Sequence, residues 1–126
     1  MIHQRHFTID EANALLDGLR PLLRQLREAS EQLTDADAHA VLAEAASTNG
    51  GGGPGRQVGE AFLEVRRLLA AVQGSGIVLR DIERGLIDFP AVRDDEEIYL
   101  CWELGEDRVS WWHELDAGYQ GRLPLE

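Results

Sequence analysis

The chain of 126 residues contains no lysine; all 12 of its basic residues are arginine. A phosphate-binding loop needs a lysine after its glycines, so the run Gly50–Gly53 before Pro54 is not such a site, and no strand pattern precedes it. There is one cysteine, Cys101. No internal disulfide can form, and nothing points to an oxidising compartment. No apolar run is long enough to cross a bilayer. The opening Met1-Ile2-His3-Gln4-Arg5-His6 does not form a basic-then-apolar leader, so the expected setting is the cytoplasm. Positive charge is scarce as well: 23 acidic side chains against 12 basic give a formal net charge of -11. Such a surface repels phosphate backbones and anionic lipid, which argues against nucleic-acid and membrane partners. Its plainest role is solubility.

What is present points to one α+β domain over 1–126. Hydrophobic residues make up 44% of the chain, enough for one packed core. Thr8-Ile9-Asp10-Glu11 fits a capping box that starts a long helix. Apolar residues then recur in steps of three and four, through Ala12, Leu15, Leu19, Leu22, Leu26, Ala29 and Leu33 to Ala43. That is the seam of a helix lying along a partner. Gly18 and Pro21 predict a kink rather than a break, because the seam stays in phase across them. Thr34-Asp35-Ala36-Asp37 offers a second cap, so an interruption of the long helix is expected there if anywhere.

Residues 47–55 form a Gly-rich hairpin tip. A return helix is expected from about Arg56 to Gln73, with Val58, Phe62, Val65, Leu69 and Val72 as its stripe and Gly74 as its C-cap. At ~1.5 Å per residue a first helix reaching Ala46 spans roughly 55 Å and the return helix about 27 Å. The C-terminal segment must therefore cover Leu15, Leu19 and Leu22. From 77 to 116 the apolar period changes to two, predicting an antiparallel β-meander of three to four strands. The strands are Ile77–Arg80, Leu86–Phe89 ending before Pro90, Ile98–Leu104, and Val109–Leu115 after a turn at Gly105-Glu106-Asp107. Residues 117–126 read as a tail.

Alternation sorts the last two strands into faces. Ile98, Leu100, Trp102 and Leu104 are assigned to the helix side together with Val109, Trp111, His113 and Leu115. Tyr99, Cys101 and Glu103 then fall on the other side with Ser110, Trp112 and Glu114. His113 is either a core histidine bonded to a carbonyl or carboxylate, or a metal ligand or acid–base group with Asp88 as its carboxylate from the adjoining strand. His113-Glu114 is not a zinc-protease motif, since Ala117 stands where the second histidine belongs. Cys101 points away from His113 in this assignment and reads as a buried inert thiol. His3, His6 and His39 read as surface residues. Arg80-Asp81-Ile82-Glu83-Arg84 reads as a solvated run of local ion pairs. Trp102, Trp111 and Trp112 supply core area first. As a wall beside Asp88, Tyr119 and Arg122 they would also suit a small ligand or a protein contact. Arg122 is expected to clamp a carboxylate, either that of Asp88 or a ligand's.

Several segments together resemble a bacterial domain-of-unknown-function family, the one numbered twenty-two hundred and three. They are Thr8–Leu16 (TIDEANALL), Gly85–Ala91 (GLIDFPA), Leu100-Cys101-Trp102 with Gly105-Glu106, Trp112-His113, and Gly121-Arg122 with Pro124. The likeness runs through essentially the whole chain; the Gly50–Gly55 stretch departs from it, where the family carries a charged helical region. The resemblance implies the same architecture and a prokaryotic, cytoplasmic setting, and brings no activity or cofactor. It marks Asp88, Trp102, Trp112, His113 and Arg122 as matching family motifs.

The resulting expectation is a helical hairpin over 8–73 packed with the β-meander. Its first functional reading is a non-enzymatic interaction or structural module that forms a homodimer through the alanine-rich seam after Leu26, or meets another protein. The alternative is a small-ligand or divalent-metal-binding protein, or an enzyme, with a site around Asp88, His113 and Arg122, flanked by Trp102, Trp112 and Tyr119. His113 and Asp88 are its metal candidates. No cofactor is expected beyond such a metal.

Overall fold

The computed structural model describes residues 1–33 and 59–126. The cap at Thr34–Asp37, the seam beyond Leu33, His39 and the Gly-rich tip lie outside them. Helix α1 spans Ile9–Glu31 and begins as its sequence predicts. The Thr8 hydroxyl accepts from the Glu11 backbone N–H at 3.1 Å, and the Thr8 N–H donates to the Glu11 carboxylate at 2.8 Å. Gly18 and Pro21 sit on its exposed face and the helix continues through both. Water can reach the carbonyl that Pro21 leaves unpaired, which is where a proline is tolerated best.

The buried stripe of α1 is rotated from the expected seam. Leu16 and Leu23 are enclosed with Ala12, Leu19 and Leu26, whereas Leu15 and Leu22 pack at the margin. A two-helix coil would bury a narrow line. Here the stripe is wide because one continuous cluster joins α1, helix α2 (Gly59–Gln73) and the sheet. Phe62, Val65, Leu68, Leu69 and Val72 are the buried face of α2. The chain leaves α2 through a Gly74 N–H that donates to Ala70 O at 2.8 Å. The left-handed residue is Gly76, at φ 91°, rather than Gly74. Among the described residues no helix is long and apolar enough to cross a membrane.

The sheet has five antiparallel strands in chain order: β1 Val78–Asp81, β2 Leu86–Arg93, β3 Glu96–Glu103, β4 Trp111–Glu114 and β5 Leu123–Pro124. The fifth comes from the segment expected to be a tail. β2 runs on past Pro90, because β1 pairs only as far as Asp88 and the side of Pro90 that lacks an N–H faces no strand. Its carbonyl, on that same side, accepts from Phe7 N–H at 2.7 Å. Asp94 and Asp95, at φ 52° and 66°, make the two-residue turn into β3, the geometry that matches strand twist. At Gly85, φ 60°, a Cβ would stand 2.5 Å from the Leu104 side chain.

Register overturns the face assignment. Tyr99 pairs with His113, Leu100 with Trp112 and Cys101 with Trp111, and directly opposed residues share a face. His113 and Trp111 therefore lie with Tyr99 and Cys101, away from the helices. Trp112 lies with Leu100, against the core. Residues 104–110 separate the two strands, and the number of residues in that loop sets which way β4 faces.

The first residues strap onto the same sheet. His3 Nε2 and the Tyr99 hydroxyl are 2.7 Å apart, as are His6 Nε2 and Glu97 Oε2, so neither histidine is a bare surface residue. The Glu97 carboxylate also accepts from the backbone N–H groups of Ile2 and His3. Burial opposes its charge, yet the His6 bond and the two N–H groups prevail and hold the carboxyl at about 2, below the ordinary 4.5. A lowered carboxyl stabilises the fold fully above about 4.5, and the contribution disappears as pH falls toward 2.

Two outcomes follow from this packing. In denaturant titrations, the advantage of wild type over Glu97→Gln should be flat above pH 5 and shrink steadily below about pH 4.5. Gly85→Ala should cost on the order of 1–3 kcal/mol in the same assay, from the left-handed backbone and the Leu104 contact.

Candidate functional site

Three adjacent strands each contribute one ionisable side chain to the face away from the helices: Asp88 from β2, Cys101 from β3 and His113 from β4. Asp88 is 2% exposed and so is His113; the thiol is buried between them. Asp88 pairs with Cys101 in the ladder, and His113 pairs with Tyr99. The imidazole thus reaches Asp88 diagonally across β3, rather than from an adjoining strand. His113 Nε2 and Asp88 Oδ1 are 3.0 Å apart.

Hydrogen-bond chemistry fixes the state of this pair. His113 Nδ1 lies 2.7 Å from the Glu114 carbonyl oxygen, which can only accept, so Nδ1 carries a proton. Nε2 faces the Asp88 carboxyl, so one further proton lies between them. Burial works against a charged ring, but the bond to Asp88, the Glu114 carbonyl and the Asp88 charge raise the His113 pKa above its ordinary value. On the other carboxylate oxygen, Arg80 Nε donates to Asp88 Oδ2 at 2.8 Å. Its guanidinium lies 5.0 Å from the centre of the Tyr99 ring, and Tyr99 lies 5.5 Å from the His113 ring. Burial and the Asp88 charge together push the Cys101 thiol up to about 12, against the Arg122 guanidinium. It is a protonated thiol.

The segment after β4 roofs this floor. A cavity of about 300 Å³ lies between them, with Arg80, Asp88, Cys101 and His113 on the sheet side and Leu115–Tyr119 opposite. The roof is fastened at its far end. The Tyr119 hydroxyl donates to Glu103 at 2.8 Å, and its ring lies between the guanidinium groups of Arg84 and Arg122, at 4.1 and 4.2 Å. Arg122 Nη1 donates to both Glu106 oxygens, at 3.2 and 3.1 Å, and lies 4.0 Å from Cys101 Sγ. Its guanidinium also covers Trp111 at 4.7 Å.

The sequence candidates divide accordingly. Asp88 and His113 are in contact, and Tyr119 lines the same cavity. Arg122 clamps Glu106 instead of Asp88; the arginine on Asp88 is Arg80. Trp102 is sealed in the core, with its Nε1 donating to Glu106 O at 3.1 Å. Trp112 packs on that same core side under Arg93, and its buried Nε1 has no hydrogen-bond partner among the described residues. Neither tryptophan reaches the cavity. Arg80 was hidden in what reads as a local charge run. In fact Arg80 bonds Asp88 across the first hairpin, Arg84 bonds Glu103 at 2.9 Å, and Ile82 is buried. Cys101 is buried as its reading expects, but it shares a face with His113 rather than pointing away from it.

Residues 5–125 match the model of the family described as an uncharacterized conserved protein, DUF2203. The chain belongs to that family. Neither a curated protein nor a solved structure matches this DUF2203 chain. Two of the segments that carry the likeness, Gly85–Ala91 and Trp112-His113, are those that deliver Asp88 and His113 to the cavity floor.

With its thiol buried and pushed up to about 12, native Cys101 should react with a disulfide reagent at pH 8 at least about tenfold slower than the unfolded chain. Absorbance of the released thiolate, with and without denaturant, measures the ratio.

Proposed function

We propose that the protein binds a small polar molecule in the cavity between the sheet and the C-terminal segment, above Asp88 and His113. The observation that carries this reading is the polar floor: the ion-pairing groups of His113 and Asp88, 3.0 Å apart and both enclosed, opening onto a space of about 300 Å³. Enclosed ion pairs generally stabilise a fold no better than apolar side chains of the same volume. Packing alone would favour the apolar choice on this face. The volume is at the small end of the range of ligand sites. Arg80, half-exposed at the rim, and the Asp88–His113 pair present both donors and acceptors to a ligand. The solitary free thiol suits the cytoplasmic setting that we propose with this reading.

The homodimer and interaction-module reading rested on the seam after Leu26. Leu26, Ala29 and Leu33 are buried within the chain's own core, and the rest of the seam lies outside the described residues, so no observation favours it over the cavity.

The test is a thermal-shift series on metal-free protein with small carboxylates, phosphates and amino acids, repeated on Leu115→Trp. That substitution fills the cavity from the roof and leaves the polar floor intact. A ligand present at 100 times its Kd should stabilise wild type by about 2.7 kcal/mol, a shift of several degrees that Leu115→Trp loses. Absence of any shift at millimolar concentration, or an equal shift in both proteins, refutes the reading.

A further inference from the structure

The cavity floor has a feature that a merely polar surface does not need. Asp88, Cys101 and His113 each offer one ligand atom of a different kind, and the three atoms converge within 4.8 Å of one another while all three residues are buried. We propose that Asp88 Oδ1, Cys101 Sγ and His113 Nε2 bind one divalent metal ion of the zinc class, with its fourth position open to the cavity. This rests on the reading of the cavity as a binding site and names what its floor holds.

The donor set selects the metal. One sulfur, one imidazole nitrogen and one carboxylate oxygen suit zinc or cobalt, whereas magnesium and calcium require oxygen throughout. Three protein ligands with a free fourth position is the arrangement of zinc sites that receive an outside molecule. Size fits as well. Zinc bonds of about 2.0 Å to nitrogen and oxygen and about 2.3 Å to sulfur, arranged tetrahedrally, set the donors roughly 3.3–3.6 Å apart. The Asp88–His113 edge already stands at 3.0 Å. That edge opens by a few tenths of an ångström, and since all three donor atoms lie within 4.8 Å of one another, the remaining edges close by no more than about 1.5 Å.

Each donor also has an outer partner that leaves the coordinating atom free to turn inward. The Glu114 carbonyl accepts a hydrogen bond from the His113 Nδ1–H and so reserves Nε2. Arg80 holds Asp88 Oδ2 and so reserves Oδ1. Arg122, itself clamped by Glu106, stands by the sulfur. Outer contacts of this kind orient metal ligands and set affinity.

Cobalt(II) titrated into chelator-treated, full-length protein is the test. The expected result is one equivalent bound, with a thiolate-to-cobalt charge-transfer band in the near ultraviolet, visible bands of four-coordinate intensity, and displacement by zinc. Cys101→Ser, checked for unchanged circular dichroism, should lose the ultraviolet band. Asp88→Asn, which keeps the side-chain shape, should weaken cobalt binding at least tenfold. A folded wild-type protein with no thiolate band in tenfold excess of cobalt overturns the proposal, as does unchanged affinity in Asp88→Asn. The small-molecule melts are run without metal. Shifts that survive there while the cobalt band is missing remove the metal and leave the cavity reading standing; failure of both removes both.

Discussion

The arrangement of the sheet's outer face depends on one buried carboxylate. Asp88 lies in the middle of β2 with almost no access to water, and an isolated charge there would be prohibitive. Arg80 takes one of its oxygens and His113 the other. Those partners come from strands on either side, so the carboxylate holds β1 and β4 in register across β3. The rest of the face follows from that demand. The loop 104–110 must have the parity that turns His113 outward, and the Glu114 carbonyl must accept a hydrogen bond from the ring Nδ1–H. The chain beyond β4 also returns over the face and lines the cavity opposite the pair.

The apolar side of the same sheet obeys a simpler rule. Ile87, Phe89, Leu100 and Trp102 meet Leu16, Leu19, Leu23 and the α2 stripe in one cluster, and Asn13 and Arg20 of α1 add hydrogen bonds to the Val109 N–H and the Asp107 carbonyl of the loop 104–110. The strap formed by His3, His6 and Phe7 then closes the open flank of β2, where Pro90 has no strand beside it. Two kinds of cohesion thus act on opposite sides of one layer: volume and area inside, charge pairing outside.

Much of this was legible in the sequence, for identifiable reasons. The capping box at Thr8, the α2 stripe and the two-residue alternation are local patterns, and local patterns name elements. Asp88 and His113 stood out as polar groups in apolar surroundings, and they do meet. What failed was whatever depends on pairing. The face of β4 hinges on the exact length of an irregular loop, so one residue of uncertainty moved His113 and both neighbouring tryptophans to the wrong sides. Arg80 was read with its sequence neighbours, because nothing local announces a partner eight positions away across a hairpin. Pro90 looked like a stop signal only because the shortness of β1 cannot be read from β2.

The missing lysines take on a different meaning in this light. Arg80, Arg84 and Arg122 each lie over an aromatic ring while bonding a carboxylate, a double engagement that needs a flat, forked cation and that an ammonium group cannot reproduce. An acidic protein with few positive charges has placed three of them where each serves two neighbours at once. Arg84 and Arg122 sit against Tyr119 while holding Glu103 and Glu106, so parting this clasp beside the cavity means displacing stacked surfaces as well as separating ion pairs.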